Sequence, residues 1–127
     1  MAISPEFIEF VLDQLRGLGP ITVKSMFGSR GLYFEGRIFA LMASDKLYFK
    51  VDDANRADYE RASSEQFIPS LRGKPFPMPY WEVPLEVMED SEEFCEWARR
   101  AYEAGSRAAA PGAGRRRPRI TTRRKTS

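Results

Sequence analysis

Between Gly28 and Ile38 the chain reads GSRGLYFEGRI, a stretch whose glycines and arginines have the spacing of two phosphate-handling devices. Gly28 and Gly31 make a GxxG, the loop that clamps a nucleic-acid backbone when it joins two helices. Gly31, Gly36 and Arg37 make G-x-x-x-x-G-R, one residue type away from the phosphate cradle G-x-x-x-x-G-K-[ST]. Each device needs a context that the flanking residues deny. A cradle runs from a strand through a flexible loop into a helix N-terminus, whereas Leu32-Tyr33-Phe34-Glu35 is stiff and strand-like and Ile38 opens another apolar run. The GxxG likewise lies between strand-like segments rather than helices. The glycines therefore read as structural, Gly28 and Gly31 permitting a tight bend and Gly36 a hairpin turn.

Other groupings able to do chemistry are scarce. The 127 residues include no histidine and one cysteine, so neither a Ser–His nor a Cys–His pair can form, nor a histidine-containing zinc site. Cys95 has no partner in the chain for a disulfide, and Glu93 and Glu96 beside it disfavour a reactive thiolate. The carboxylate pairs Asp52/Asp53, Glu89/Asp90 and Glu92/Glu93 fall at predicted helix starts, where the helix dipole favours them. Adjacent carboxylates diverge, so they make no glycosidase-type dyad. The expectation is a protein that is not an enzyme, with no catalytic residue, no metal and no cofactor.

The elements that would position any site follow from periodicity. Ser4-Pro5-Glu6 is a helix start, with Ser as the cap and Pro at the first helical position. Phe7, Ile8, Val11, Leu12, Leu15 and Leu18 then give one apolar stripe, until Gly17, Gly19 and Pro20 stop the helix. From Ile21 the period becomes two, through Leu32–Glu35 and Leu47–Val51, while residues 38–43 are apolar on both faces. Turns at Glu35-Gly36 and Ser44-Asp45-Lys46 link these runs, predicting three hairpin-connected strands. Asp52 or Asp53 caps a short helix to about Ala62. Phe67–Leu71 and Met78–Val83 can pair around Arg72-Gly73-Lys74, the prolines at 69, 75, 77 and 79 restricting them to an edge. Pro84 opens a turn. Asp90 and Glu93 form a capping box for a last helix with the stripe Phe94, Trp97, Ala98, Ala101, ended by Gly105. Helix, three strands, helix, two weaker strands, helix is an α+β two-layer sandwich on an antiparallel sheet.

Charge divides the chain in two. Of the 20 basic residues, eight lie beyond Gly105 with no acidic residue among them: Arg107, Arg115, Arg116, Arg117, Arg119, Arg123, Arg124 and Lys125. Residues 1–105 keep 12 basic against 18 acidic side chains, a net of −6. An acidic domain, 1–105, is followed by a segment dominated by Ala, Gly, Pro, Arg, Thr and Ser, 106–127, expected to be a disordered basic tail. Such a tail supplies salt-sensitive, sequence-independent affinity for DNA or RNA. It has no aromatic residue to stack on bases. No apolar run approaches the roughly 20 residues of a membrane span, and MAISPEF is no signal peptide, so the cytoplasm is expected.

Aromatic residues mark a second candidate surface. Tyr33, Phe39 and Tyr48 are placed on the sheet face opposite Leu32 and Phe49, which suits a helix cover, a homodimer interface or a ligand shelf. Tyr80 and Trp81, in a proline-rich stretch, either form a partner-binding ledge or pack a loop on the core.

The ordered set MFGSRGLYFEGRIFALMASDKLYFKVDDANRADYE, PFPMPYWEVP and CEWARRAYEAG resembles the N-terminal domain of the TfoX/Sxy family. The family's Met-Phe-Gly falls on Met26, Phe27 and Gly28, and its Gly-Leu-Tyr on Gly31, Leu32 and Tyr33. Its hairpin glycine is Gly36, its Leu-Tyr-hydrophobic-Lys-Val is residues 47–51, and its Asn-Arg is Asn55 and Arg56. Tyr80, Pro84, Trp97 and Ala98 complete the match, which spans about residues 5–105. The resemblance implies a two-layer α/β domain similar to the secretion-chaperone-like fold. It implies a regulatory protein of the competence type that acts with a transcription activator as protein partner. Long members carry a second, helical domain where this chain has the arginine-rich segment. The alternative function is a small-ligand or protein-segment binding module using the aromatic sheet face.

Overall fold

The computed structural model describes residues 3–26 and 28–109; Arg115, Arg116, Arg117, Arg119, Arg123, Arg124 and Lys125 lie outside the described residues. Helix α1 (Pro5–Gln14) begins as its sequence dictates. Ser4 is the cap, its Oγ accepting a hydrogen bond from the Phe7 N–H at 3.1 Å, and Pro5 takes the first position. The helix ends at Gln14, earlier than the apolar stripe suggests, and Leu15 and Leu18 continue the apolar face from irregular turns.

Four strands follow, one more than the sequence predicts: β1 (Ile21–Met26), β2 (Ser29–Phe34), β3 (Arg37–Ala43) and β4 (Lys46–Lys50). The extra strand exists because the chain reverses between Met26 and Ser29, which pair directly. Gly28 sits there at φ +83°, and the Ser29 hydroxyl donates to the Met26 carbonyl at 2.8 Å. Gly36, φ +79°, serves the next hairpin as expected. Gly31 has no such role. It lies inside β2, where an added Cβ would come within 2.7 Å of Met26 Sδ, 3.0 Å of Ile38 Cδ1 and 3.1 Å of Tyr33 Cε1.

Helix α2 (Arg56–Arg61) comes next, held by buried Asn55, which accepts from the Asp52 N–H and donates to the Lys50 carbonyl. The chain then makes an arm, β5 (Ser70–Leu71) and β6 (Lys74–Pro75), folded about Arg72-Gly73. It returns as β7 (Tyr80–Glu82) beside β4. The main sheet is antiparallel with order β1-β2-β3-β4-β7. Residues 65–67 line the outer side of β7 through Glu82 N–H to Glu65 carbonyl and Phe67 N–H to Tyr80 carbonyl bonds.

Pro84 leads into a four-residue helix, α3 (Leu85–Met88), where a turn is expected. Helix α4 (Ser91–Ala109) starts at the predicted capping residue: the Asp90 carboxylate accepts from the Glu93 N–H at 3.2 Å. It does not stop at Gly105. Gly105 is there for close approach, since a Cβ on it would lie 3.0 Å from the Ile38 carbonyl oxygen. All four helices bury their apolar sides in one cluster on one face of the sheet, with Val11, Leu15, Leu32, Phe49, Tyr59, Val87, Phe94 and Ala98 among its members. Phe94 stacks on Phe49 at 5.6 Å, and Tyr102 meets Phe34 edge-on at 5.2 Å. The fold is the α+β two-layer sandwich the sequence predicts, with its helices on one side.

Candidate functional site

Cross-strand partners share a face, so the register assigns every strand residue to one side. Val23, Leu32, Ala40, Phe49 and Trp81 form a row facing the helices. Lys24, Gly31, Leu41, Tyr48 and Glu82 form the neighbouring row on the opposite face, with Tyr33, Ile38, Lys50 and Tyr80 beyond it. That second face carries no helix among the described residues.

The five aromatic residues expected to share a surface are divided by this register. Tyr33, Tyr48 and Tyr80 belong to the helix-free face. Phe39 does not: the pairing shifts between Leu32–Ala40 and Tyr33–Ile38, leaving Phe39 as the extra residue of a bulge. It is fully buried in the helix-side core, 5.8 Å from the Phe49 ring. Trp81 packs on the same core. Tyr80 is itself buried, 5% exposed, which removes it as a ledge for a partner. Strict alternation through an all-apolar run cannot register a one-residue bulge.

What the open face offers is an arrangement of tyrosines and lysines. Because Gly31 has no side chain, the Tyr33 ring lies down across it. The Lys24 ammonium, from the residue paired with Gly31, stands 4.7 Å from the centre of that ring. Lys50 repeats the pattern 5.1 Å from the Tyr80 ring, its cross-strand partner. Both are cation–π contacts. Burial lowers the Lys50 pKa from the ordinary lysine value, and the nearby Asp52 charge only partly opposes it. Burial, then the neighbouring Tyr33 hydroxyl, pushes the Tyr80 hydroxyl up to about 12. Tyr48 packs on Phe67 at 4.7 Å, and its pKa is raised by burial and then by Glu82 and Glu65, which close this end of the face with negative charge.

Every ion pair among the described residues is made by an arginine, none by a lysine. On the helical side Arg100 pairs with Asp58 at 2.7 Å, and Arg99 with Glu96. Arg107 grips Asp52 through both carboxylate oxygens, at 2.7 and 3.1 Å. A groove of about 540 Å³ between α2, α3 and α4 is lined by Asp58, Glu93, Glu96, Trp97 and Arg100. Cys95 is half-buried, its thiol turned to the Gln14 carbonyl at 3.5 Å. The described residues hold no group of His, Cys, Asp and Glu arranged for a metal ion. None of their helices is long and apolar enough to cross a membrane.

The family model described as the TfoX N-terminal domain matches residues 13–105. The chain belongs to that family. No curated protein matches it. The match covers every strand of the TfoX-type domain, α2, α3 and most of α4, so the sheet face with Tyr33, Tyr48 and Lys50 is part of the shared unit. The arginine-rich segment lies beyond it. Sequence reasoning did not single out the two lysines as site residues, although the period-two runs set Lys24 opposite Val23, Tyr33 opposite Leu32, and Tyr48 and Lys50 opposite Phe49.

Proposed function

We propose that this TfoX-type domain is a non-enzymatic regulatory protein of the cytoplasm, acting through contact with a protein partner such as a transcription activator. The arginine-rich segment adds nonspecific affinity for DNA or RNA. The observation that carries the protein-contact half is the arm between α2 and β7, where Ile68, Leu71 and Phe76 are each about half exposed (49%, 50% and 49%). Large apolar side chains left exposed along one short arm suit an interaction surface. A second copy of the chain is one such partner, and sedimentation equilibrium of wild type against Leu71→Asp/Phe76→Asp reads it directly. A dimer that becomes a monomer places the homodimer contact on the arm; a monomer in both assigns the arm to another protein.

The nucleic-acid half is tested by titrating labelled duplex DNA and RNA at two salt concentrations, with the full chain and with a chain ending at Ala109. That end point preserves α4 and the Arg107–Asp52 pair. Binding that weakens steeply with salt and with loss of residues 110–127 is expected. Equal binding by both chains removes the segment's role.

A further inference from the structure

The arm between α2 and β7 has two sides, and its register says what each carries. Leu71 pairs with Lys74, and Ser70 with Pro75. Nearer the sheet, the Phe76 N–H donates to the Pro69 carbonyl at 2.8 Å and the Met78 N–H to the Phe67 carbonyl at 3.0 Å. Cross-strand partners share a face and alternate residues return to it. Phe67, Leu71, Lys74 and Phe76 therefore lie on one side of the arm, and Ile68 on the other. Phe67 packs on Tyr48 of the helix-free sheet face, so the first side continues that face. Glu82 pairs with Tyr48 and belongs to it as well. Gln66 bridges Trp81 on the helix side, which turns the preceding residue, Glu65, to the same face as Glu82.

The resulting strip is ordered by charge. Glu65 and Glu82 stand at its root, Tyr48, Phe67, Phe76 and Leu71 fill its middle, and Lys74 closes its tip with Arg72 of the turn. None of Glu65, Glu82, Arg72 and Lys74 makes an ion pair among the described residues. From Glu65 to Leu71 the strip is roughly 20 Å long, at about 3.3 Å per residue. A surface of this kind is complementary to itself. Turned about a two-fold axis through its middle, the basic tip of one copy falls on the acidic root of the other, at both ends, and the apolar residues meet between them. An unrelated partner would have to bring the reverse order of charge, whereas a second copy brings it by symmetry.

We propose that this strip is a homodimer interface in which two arms lie antiparallel about a two-fold axis. Arg72 and Lys74 of each copy face Glu65 and Glu82 of the other, and Phe67, Phe76 and Leu71 are covered between them. This deepens the protein-contact half of the proposed function and rests on it. It names the partner as a second copy and fixes the orientation in which that copy docks.

The test is sedimentation equilibrium of the full chain, which is expected to be a dimer. Arg72→Glu/Lys74→Glu sets acid against acid at both ends, and Glu65→Lys/Glu82→Lys sets base against base. Each should raise the dimer dissociation constant roughly tenfold or more. An equimolar mixture of the two variants meets opposite charges at both ends, so it should form a heterodimer about as tight as the wild-type dimer. Circular dichroism verifies that each variant is folded, and Lys74→Glu and Glu65→Lys alone replace a double variant that is not. A dimer indifferent to both reversals, or a mixture that stays monomeric, overturns the proposal. A monomeric wild type overturns it too, but leaves the apolar arm as a contact for a different protein.

Discussion

Tyr59 shows what an individual side chain costs here. It is 1% exposed, packed edge-on against Trp97 at 4.8 Å, and its hydroxyl has no hydrogen-bond partner among the described residues. A buried hydroxyl left unpaired costs about 1–3 kcal/mol. Tyr59→Phe should therefore raise stability by about 1 kcal/mol in chemical denaturation, against the usual sign for a core substitution. Gly105 gives the opposite surprise. Helix propensity alone credits Gly→Leu with nearly 1 kcal/mol, but the Ile38 carbonyl occupies the space. Gly105→Leu should instead destabilise by about 1–3 kcal/mol, as overpacking does. A lower thermal midpoint reads this; a higher one would mean that α4 shifts freely on β3.

At the scale of elements, α4 is both a wall of the core and the tether of its own C-terminal end. Arg107, in its last turn, holds Asp52. Burial alone would raise the Asp52 pKa, but the Arg107 hydrogen bonds, the Ala54 N–H and the charges of Arg107 and Arg56 outweigh it, and the value is lowered. A lowered carboxylate pKa stabilises the fold above the unfolded value near 3.8 and loses that contribution as pH falls through the folded value. Arg107→Ala should thus cost less than about 1 kcal/mol at pH 7, the pair being partly exposed, and the deficit should fade in acid. Much of this layer was legible: the Ser4 cap, the Asp90 cap, the hairpin glycines and the proline-limited arm all rest on local rules. The Phe39 bulge and the continuation of α4 past Gly105 were not. Each is decided by a neighbour distant in sequence, and local periodicity carries no record of that neighbour. The candidate face suffered the same way, because one bulge moved Phe39 out of it while leaving Tyr33 and Tyr48 in place.

At the scale of the whole molecule, the helical side bears the arginine–carboxylate pairs, and the helix-free sheet face carries Lys24, Lys46 and Lys50 with Tyr33 and Tyr48, closed at one end by Glu82 and Glu65. The molecule's response to alkali is collective. Tyr59 and Tyr80 both have raised pKa values, through burial first. A raised phenol pKa leaves its stabilisation intact below the unfolded value near 10 and loses it as pH climbs toward the folded one. Stability should fall from pH 10 upward, and Tyr80→Phe should flatten that fall and remove a phenolate absorbance step at about 12. The end of α1 is tied to both α3 and α4. The Gln14 side chain donates to the Met88 carbonyl, and the Ser91 hydroxyl donates to the Gln14 carbonyl, closing separations of 74 and 77 residues. The four-strand meander closes its loops over a few residues each. Loop-closure entropy therefore orders the events in time, the meander early and the clasp of α1 to α3 and α4 late. Ser91→Ala should quicken unfolding while leaving the refolding rate almost unchanged. The clasp then sets how long the native state lasts rather than how fast it is reached.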